Sequence, residues 1–402
     1  MAKNKMTRTE FFVLSAIAII SLHLIQLFIK VDHAYLIEHR ERFTSDERIN
    51  TDVKADEAPK VILHVGPGKM GTTTIQNAMA MDLEELSKDN FCLYKPLEFV
   101  KIGRLINNDA HPEKYTVAEM LDHEEIKEML DYFDHCHNMK QHMLLSSEAL
   151  GHLETEVWEG VLKPSLKRWN ITIAVGYRRF YSWAPSLWFQ IMKKRVSKRW
   201  PKKDDEIIMS FHDWYRRGAQ KKLDVLYTDS YIDHWKGLGI ENFLIYNMHE
   251  DLNLMKHFYC SKLGLNHTCD KHSGTLSARH NVGHSLQSDR LACALYSHGY
   301  INSNKTNRVE AGKMISEFFS KKDTPLEQIS PICFTDGEMN EVLKRSVEKE
   351  AELLPDFHIS SKGMVTMADE LHEDKDKNFC DVNITDVIDQ HGKELKALFV
   401  YR

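Results

Sequence analysis

The chain has 402 residues, 42% of them hydrophobic, and a formal net charge of −6 at pH 7. A charge of that size excludes little by itself, although its positive part is unevenly placed. The length beyond position 59 exceeds that of a usual domain, yet no Pro/Gly/Ser-rich linker or internal repeat divides it, which argues against a string of small modules.

Residues 1–10 carry Lys3, Lys5 and Arg8 and precede Phe11–Ile29, nineteen residues without a formal charge. At about 1.5 Å per residue a helix of that length reaches about 28 Å, enough to cross a hydrocarbon core. The positive excess on its N-terminal side puts the tail in the cytosol and everything beyond residue 31 in a lumen. The apolar core is longer than that of a cleavable signal peptide, and no Ala-x-Ala-like site follows Ile29. An uncleaved type II signal anchor over 11–31 is therefore expected, one transmembrane helix ahead of the fold. Residues 32–59, of mixed charge and without periodicity, read as a stem, and 60–402 as one lumenal domain.

A lumenal placement makes four sequons, at Asn170, Asn266, Asn304 and Asn383, plausible N-glycan sites. Asn170 is the poorest of them because it opens a predicted buried strand. Seven cysteines allow up to three disulfides with one left over. Cys260 and Cys269 flank a short turn and are the expected pair.

Val61–Val65 is the first predicted strand; its apolar run stops at Gly66-Pro67-Gly68, and a helix is expected over Thr73–Met81. Val117–Phe133 has apolar residues at helical spacing and predicts one amphipathic helix. His142–Ser146 and Ile171–Gly176 are short apolar runs and predict strands. Leu223–Trp235 returns to helical spacing, Asn242–Tyr246 is the next strand, and Leu252–Leu263 the helix after it. Beyond residue 300 only Asn340–Leu354 has a helix-like pattern. Strands alternating with helices predict an α/β fold, a parallel sheet flanked by helices with ligands at the carboxyl ends of its strands.

Strand, glycine loop and helix start form a geometry that turns backbone N–H groups and the helix dipole onto a phosphate or sulfate. Against the triphosphatase loop G-x-x-x-x-G-K-[ST], Gly66 and Gly71 have the right separation, but Thr72 stands where lysine is needed. The lysine is Lys69, inside the loop. Lys69-Met70-Gly71-Thr72-Thr73 after a strand resembles the Pro-Lys-x-Gly-Thr-Thr loop of the sulfotransferases that use 3′-phosphoadenosine 5′-phosphosulfate (PAPS), with Gly68 in place of the proline. That family holds the 3′-phosphate with an arginine at a strand end and a serine eight residues later. Arg178 and Ser186 have this spacing, with Phe180 where proline is common, and the planar fork of arginine suits a phosphate. Ser146-Ser147-Glu148 after a strand is similar to a subset of these proteins whose first strand ends in His-x-Gly, as His64-Val65-Gly66 does here.

The resemblance covers the chain from about residue 60 to 290. It implies a P-loop-type parallel sheet and transfer of the sulfuryl group from PAPS to a hydroxyl or amine, on a carbohydrate above all. Lys69 would neutralise charge in a loose in-line transition state, with Glu148 as the base and His64 as the second candidate. Gly66, Gly68, Met70, Gly71, Thr72, Thr73 and Thr74 would cradle the 5′-phosphosulfate, and Arg178 with Ser186 the other end of the nucleotide. The scheme requires no metal. A Golgi membrane protein with a lumenal catalytic domain and a glycan or glycoconjugate acceptor is implied; a nucleic-acid partner is not.

Lys193, Lys194, Arg195, Lys198, Arg199, Lys202 and Lys203 surround Trp200 in a basic cluster suited to an anionic glycan or to PAPS. Ser273–Ser285, which includes Arg279, reads as the loop that closes over the nucleotide. His135-Cys136-His137 with His142 fits no common zinc pattern, so no metal is expected. Two rivals stand beside this reading. A P-loop kinase or nucleotide hydrolase would need lysine at position 72 and an acidic residue placed for Mg²⁺; a catalytically inactive sulfotransferase-like protein would only bind glycans. The acceptor itself is expected to be chosen by the insertions at 97–120, 193–220 and after 300, which carry no legible motif.

Overall fold

Each predicted strand carries apolar side chains on both faces, as suits a parallel sheet covered on both sides. The computed structural model describes residues 58–107, 115–195, 200, 209–249, 253–272, 286–322, 324–354, 361–373, 375 and 379–400. Five parallel strands, β1 (Lys60–Gly66), β2 (Phe91–Cys92), β3 (His142–Ser146), β4 (Asn170–Tyr177) and β5 (Phe243–Asn247), lie in the order β2-β3-β1-β4-β5. Alternation sorts their side chains: Val61, Leu63, Val65, Met143, Leu145, Ile173 and Val175 enter the larger core, and Ile62, Leu144 and Ala174 a smaller one on the opposite face. This is the α/β fold with flanking helices that the sequence predicts.

The strand order sets where a ligand can sit. The chain leaves β1 toward the β3–β2 side, whereas it leaves β4 toward β5. A crevice therefore opens between the carboxyl ends of β1 and β4, at the topological switch point. The loop after Gly66 and the segment after Tyr177 flank it.

The helices differ from expectation in instructive places. Helix α1 (Thr72–Met81) starts one residue ahead of the expected Thr73 and buries Ile75, Ala78 and Met79. The single helix expected over Val117–Phe133 is two, α2 (Val117–Asp122) and α3 (Glu124–Asn138), broken at His123, whose ψ is 128°. Met120, Ile126, Met129 and Phe133 all enter the same core, so the apolar period runs through the break. Helix α4 (Phe180–Arg195) follows β4. The next helical stretch is again split, into α5 (Gln220–Leu226) and α6 (Thr228–Gly237), because buried Tyr227 is extended and its hydroxyl donates to the Arg178 carbonyl at 2.6 Å. Residues 254–262 are helical, with a π turn, and Leu252 lies outside the described residues.

The tail beyond 300 holds far more structure than its pattern announces. Helices α7 (Arg308–Phe319), α8 (Asp336–Leu353), α9 (Ser361–Glu373) and α10 (Ile384–Val400) accompany a small antiparallel pair, β6 (Pro331–Cys333) and β7 (Cys380–Val382). Helix α8 starts ahead of the expected Asn340 because Thr335 and Glu338 form a reciprocal capping box. It packs on α4 at the end of β4: Glu350, 1% exposed, accepts from Arg179 Nε at 3.1 Å and from the Tyr177 hydroxyl at 2.7 Å, and Glu370 of α9 takes Arg179 Nη1 at 2.7 Å.

Three disulfides join Cys92–Cys136, Cys260–Cys269 and Cys333–Cys380, leaving Cys293 free and buried. The expected Cys260–Cys269 pair is among them, and Cys136 is spent on Cys92 rather than offered with its neighbouring histidines. Asn170, placed in a buried strand by its pattern, is exposed at the strand's mouth, as are Asn266 and Asn304, while Asn383 is half-buried. Among the described residues no helix is long and apolar enough to cross a membrane. The expected cytosolic tail, anchor and all but the end of the stem lie outside them, as do Lys198, Arg199, Lys202, Lys203 and the Ser273–Ser285 loop with Arg279.

Candidate functional site

The loop between β1 and α1 takes a shape that most side chains resist. Gly66 (φ 112°), Lys69 (φ 70°) and Gly71 (φ 76°) all have positive φ. For Lys69 this left-handed backbone costs about 1–2 kcal/mol, strain of a kind that persists where surrounding contacts impose it. Those contacts are visible. The Trp183 indole N–H donates to the Gly68 carbonyl at 3.0 Å, Arg178 Nη1 reaches the Lys69 carbonyl at 3.5 Å, and the Tyr246 hydroxyl donates to the Met70 carbonyl at 2.8 Å. Three successive carbonyls are thus held by α4, the end of β4 and β5. Because C=O and N–H point opposite ways across a trans peptide, the amides of Lys69, Met70 and Gly71 turn away from those donors.

Helix α1 continues the same surface. Its N-cap is Gly71, no side chain caps it, and its first turn contains no acidic residue. The first bond closing the turn runs from the Ile75 amide to the Gly71 carbonyl at 3.0 Å. Thr72 is buried, Thr73 exposed and Thr74 half-buried. An uncapped helix start joined to a strained loop of outward amides is a competent anion cradle.

Close approach makes Gly176 necessary, and a positive φ beside a crowding leucine favours glycine at 71. A Cβ on Gly176 would lie 2.5 Å from Met70 Cβ and 2.6 Å from the Tyr246 hydroxyl, and one on Gly71 would lie 2.2 Å from Leu254 Cδ2. Only bare backbone lets the loop sit this low on β4.

His64 lies beneath the loop, 1% exposed, with Nδ1 2.7 Å from Ser146 Oγ and Nε2 2.9 Å from the Tyr246 hydroxyl. Tyr246 donates its own proton to Met70, so it accepts from Nε2–H, and Ser146 donates to Nδ1. Burial holds the imidazole pKa down at about 3. A neutral ring with both nitrogens occupied props the loop from below.

Glu148 stands at the rim instead. It is exposed, opens a short 3-10 turn after β3, and accepts through Oε1 from the Thr72 hydroxyl. Arg178 is half-buried between loop and helix; its Nε donates to Ser182 at 2.9 Å. Ser186 follows one helical turn after Ser182 on the same face of α4, also half-buried. The sequence pattern pairs Arg178 with Ser186 and misses Ser182, the nearer partner, although a serine four residues after the arginine was the available signal.

The fold therefore brings together Lys69, Thr72, Glu148 and Arg178, with Ser186 on the adjoining helix face, and places His64 under them. Arg279 lies outside the described residues. Among the described residues no cluster of three or more His, Cys, Asp or Glu side chains is arranged to hold a metal ion. The donor set here, a lysine, an arginine, hydroxyls and outward amides, suits an anion. No family model matches the chain, and no curated protein matches it significantly.

Proposed function

We propose that this protein is a PAPS-dependent sulfotransferase acting on a hydroxyl or amine of a carbohydrate acceptor. The observation that carries the reading is the position of Lys69, on a left-handed loop whose carbonyls are tied back, with Arg178 against it and Glu148 across it. The outward amides and the Thr72–Thr74 helix start bind the 5′-phosphosulfate, while Arg178, Ser182 and Ser186 hold the 3′-phosphate end. Lys69 neutralises the charge that builds on the oxygen bridging sulfur and phosphorus. Glu148 takes the proton of the attacking group, and His64, neutral and fully engaged, keeps the loop in place.

Six of seven cysteines are paired, which supports an oxidising compartment and hence the lumenal, Golgi placement of the domain behind its anchor. The test is incubation of the full-length chain with ³⁵S-labelled PAPS and a panel of glycans and peptides. Label appears in a glycan with the native protein and is lost with Lys69→Ala. A Lys69→Ala protein that still transfers label would overturn the assignment.

A further inference from the structure

A Cβ placed on Gly68 would lie 3.8 Å from Glu148 Oε2 and 3.9 Å from Gln190 Oε1, the nearest atoms among the described residues apart from its two chain neighbours. A small group therefore fits over Gly68 in ordinary van der Waals contact, and the two side chains it would meet are polar. Glu148 uses Oε1 for Thr72, which leaves Oε2 toward that space. Among the described residues neither this oxygen nor the Gln190 amide has a hydrogen-bond partner. Gln190 is the third member of an i, i+4 ladder, Ser182, Ser186 and Gln190, half-buried on a helix whose Tyr181, Trp183, Ala184 and Leu187 are buried. One wetted stripe thus runs from the partner of Arg178 to the mouth of the loop.

We propose that the acceptor binds over Gly68 between Glu148 and Gln190, and that Gln190 selects an acceptor with a second hydroxyl or amine beside the group that is sulfated. The inference rests on the sulfotransferase reading and adds the acceptor's side to it. A carboxylate oxygen only accepts, so Oε2 takes the O–H of the attacking hydroxyl. The amide presents either its oxygen or its N–H by turning about its last bond, and a neighbouring hydroxyl satisfies both. As the acceptor oxygen bonds to sulfur, the bond from sulfur to the bridging phosphate oxygen breaks, its electron pair leaves with 3′-phosphoadenosine 5′-phosphate (PAP), and the hydroxyl proton passes to Glu148. A carboxylate or sulfate next to the reacting group would face Glu148 and be repelled. A phenol or simple alcohol would leave Gln190 without a partner once water is displaced. The chemical class is the vicinal diol or amino alcohol of a neutral sugar.

The test uses the full chain with PAPS, neutral glycosides, their analogues deoxygenated beside the sulfated position, and a tyrosine peptide. Gln190→Met keeps length and removes both polar atoms. It should raise the KM of the best glycoside about tenfold, the effect of one lost hydrogen bond, while PAP affinity by calorimetry stays within about twofold. The deoxy analogue should be a poor substrate for the native protein and lose nothing more in the variant, as expected when both changes remove one contact. An unchanged glycoside KM, a parallel loss of PAP affinity, or a tyrosine peptide as best acceptor overturns the proposal while leaving sulfuryl transfer intact. Absence of both PAP binding and transfer to any acceptor refutes the parent reading instead.

Discussion

Gly176→Ala is the sharpest test of how the loop is held. Gly176 faces Tyr246 in the β4–β5 register, and its carbonyl accepts from the Thr228 hydroxyl at 2.8 Å, so the strand has little room to retreat. The new methyl would stand 2.5 Å from Met70 Cβ and 2.6 Å from the Tyr246 hydroxyl. Overpacking of this kind costs about 1–3 kcal/mol, and loss of the Tyr246–Met70 hydrogen bond adds about 1 kcal/mol. The sum, about 2–4 kcal/mol, should lower Tm by about 3–6 °C in a domain of this size. Released from Tyr246, the Met70 peptide no longer aims its amide outward, and PAP affinity should fall about tenfold, or about 1.4 kcal/mol. The control is Gly237→Ala, where an added Cβ meets nothing within 4 Å; there a small gain of up to about 1 kcal/mol is expected. Equal melting points and PAP affinities for the two variants would refute the packing argument.

Other consequences follow from the same contacts. His64 has a folded pKa of about 3 against an ordinary value of 6.5, so the unfolded chain binds the extra proton and stability falls with pH below 6.5 until about 3. By pH 5 this amounts to about 2 kcal/mol, and the slope of denaturant stability between pH 7 and 5 should flatten in His64→Gln. Replacing Cys92 and Cys136 by serine opens a sequence separation of 44 and should cost about 4 kcal/mol, whereas the Cys260–Cys269 pair, separated by 9, should cost about 2.6 kcal/mol; urea midpoints at constant m check the order. Glu350→Ala leaves Arg179 buried without its innermost partner and should cost about 3–5 kcal/mol, most of it recovered by adding Arg179→Met. Failure of the double variant to recover stability would show that Arg179 matters for another reason.

The parts legible in the sequence are those whose signal is local. Val61–Val65, the glycine loop and the start of α1 occupy one continuous stretch, and the displaced lysine is read directly from it. Arg178 with Ser186, and Glu148 after Ser146-Ser147, likewise announce themselves by position after a strand. What holds the loop is not local: Trp183 bonds Gly68 from 115 residues away and Tyr246 bonds Met70 from 176. Nothing in either residue's neighbourhood marks that duty. The same limit hid the role of His64, whose partners are brought beside it by the strand order. Periodicity failed at His123 and Tyr227 for a different reason, because the helices on either side of each break bury their apolar faces in one core. The tail was obscure because α8 packs on α4 and the end of β4 through Ser346 and Glu350, polar residues that no apolar pattern would place inside.

In the function proposed here, a loop with lysine at position 69 and threonine at 72 binds a 3′-phosphoadenosine nucleotide. Calorimetric titration of the full-length protein with PAP, and separately with ATP and Mg²⁺, tests it directly. PAP should bind without added metal, more weakly in both Lys69→Ala and Arg178→Ala, and ATP should show no comparable binding. Preference for ATP with a requirement for Mg²⁺ would contradict it and return the loop to triphosphate chemistry.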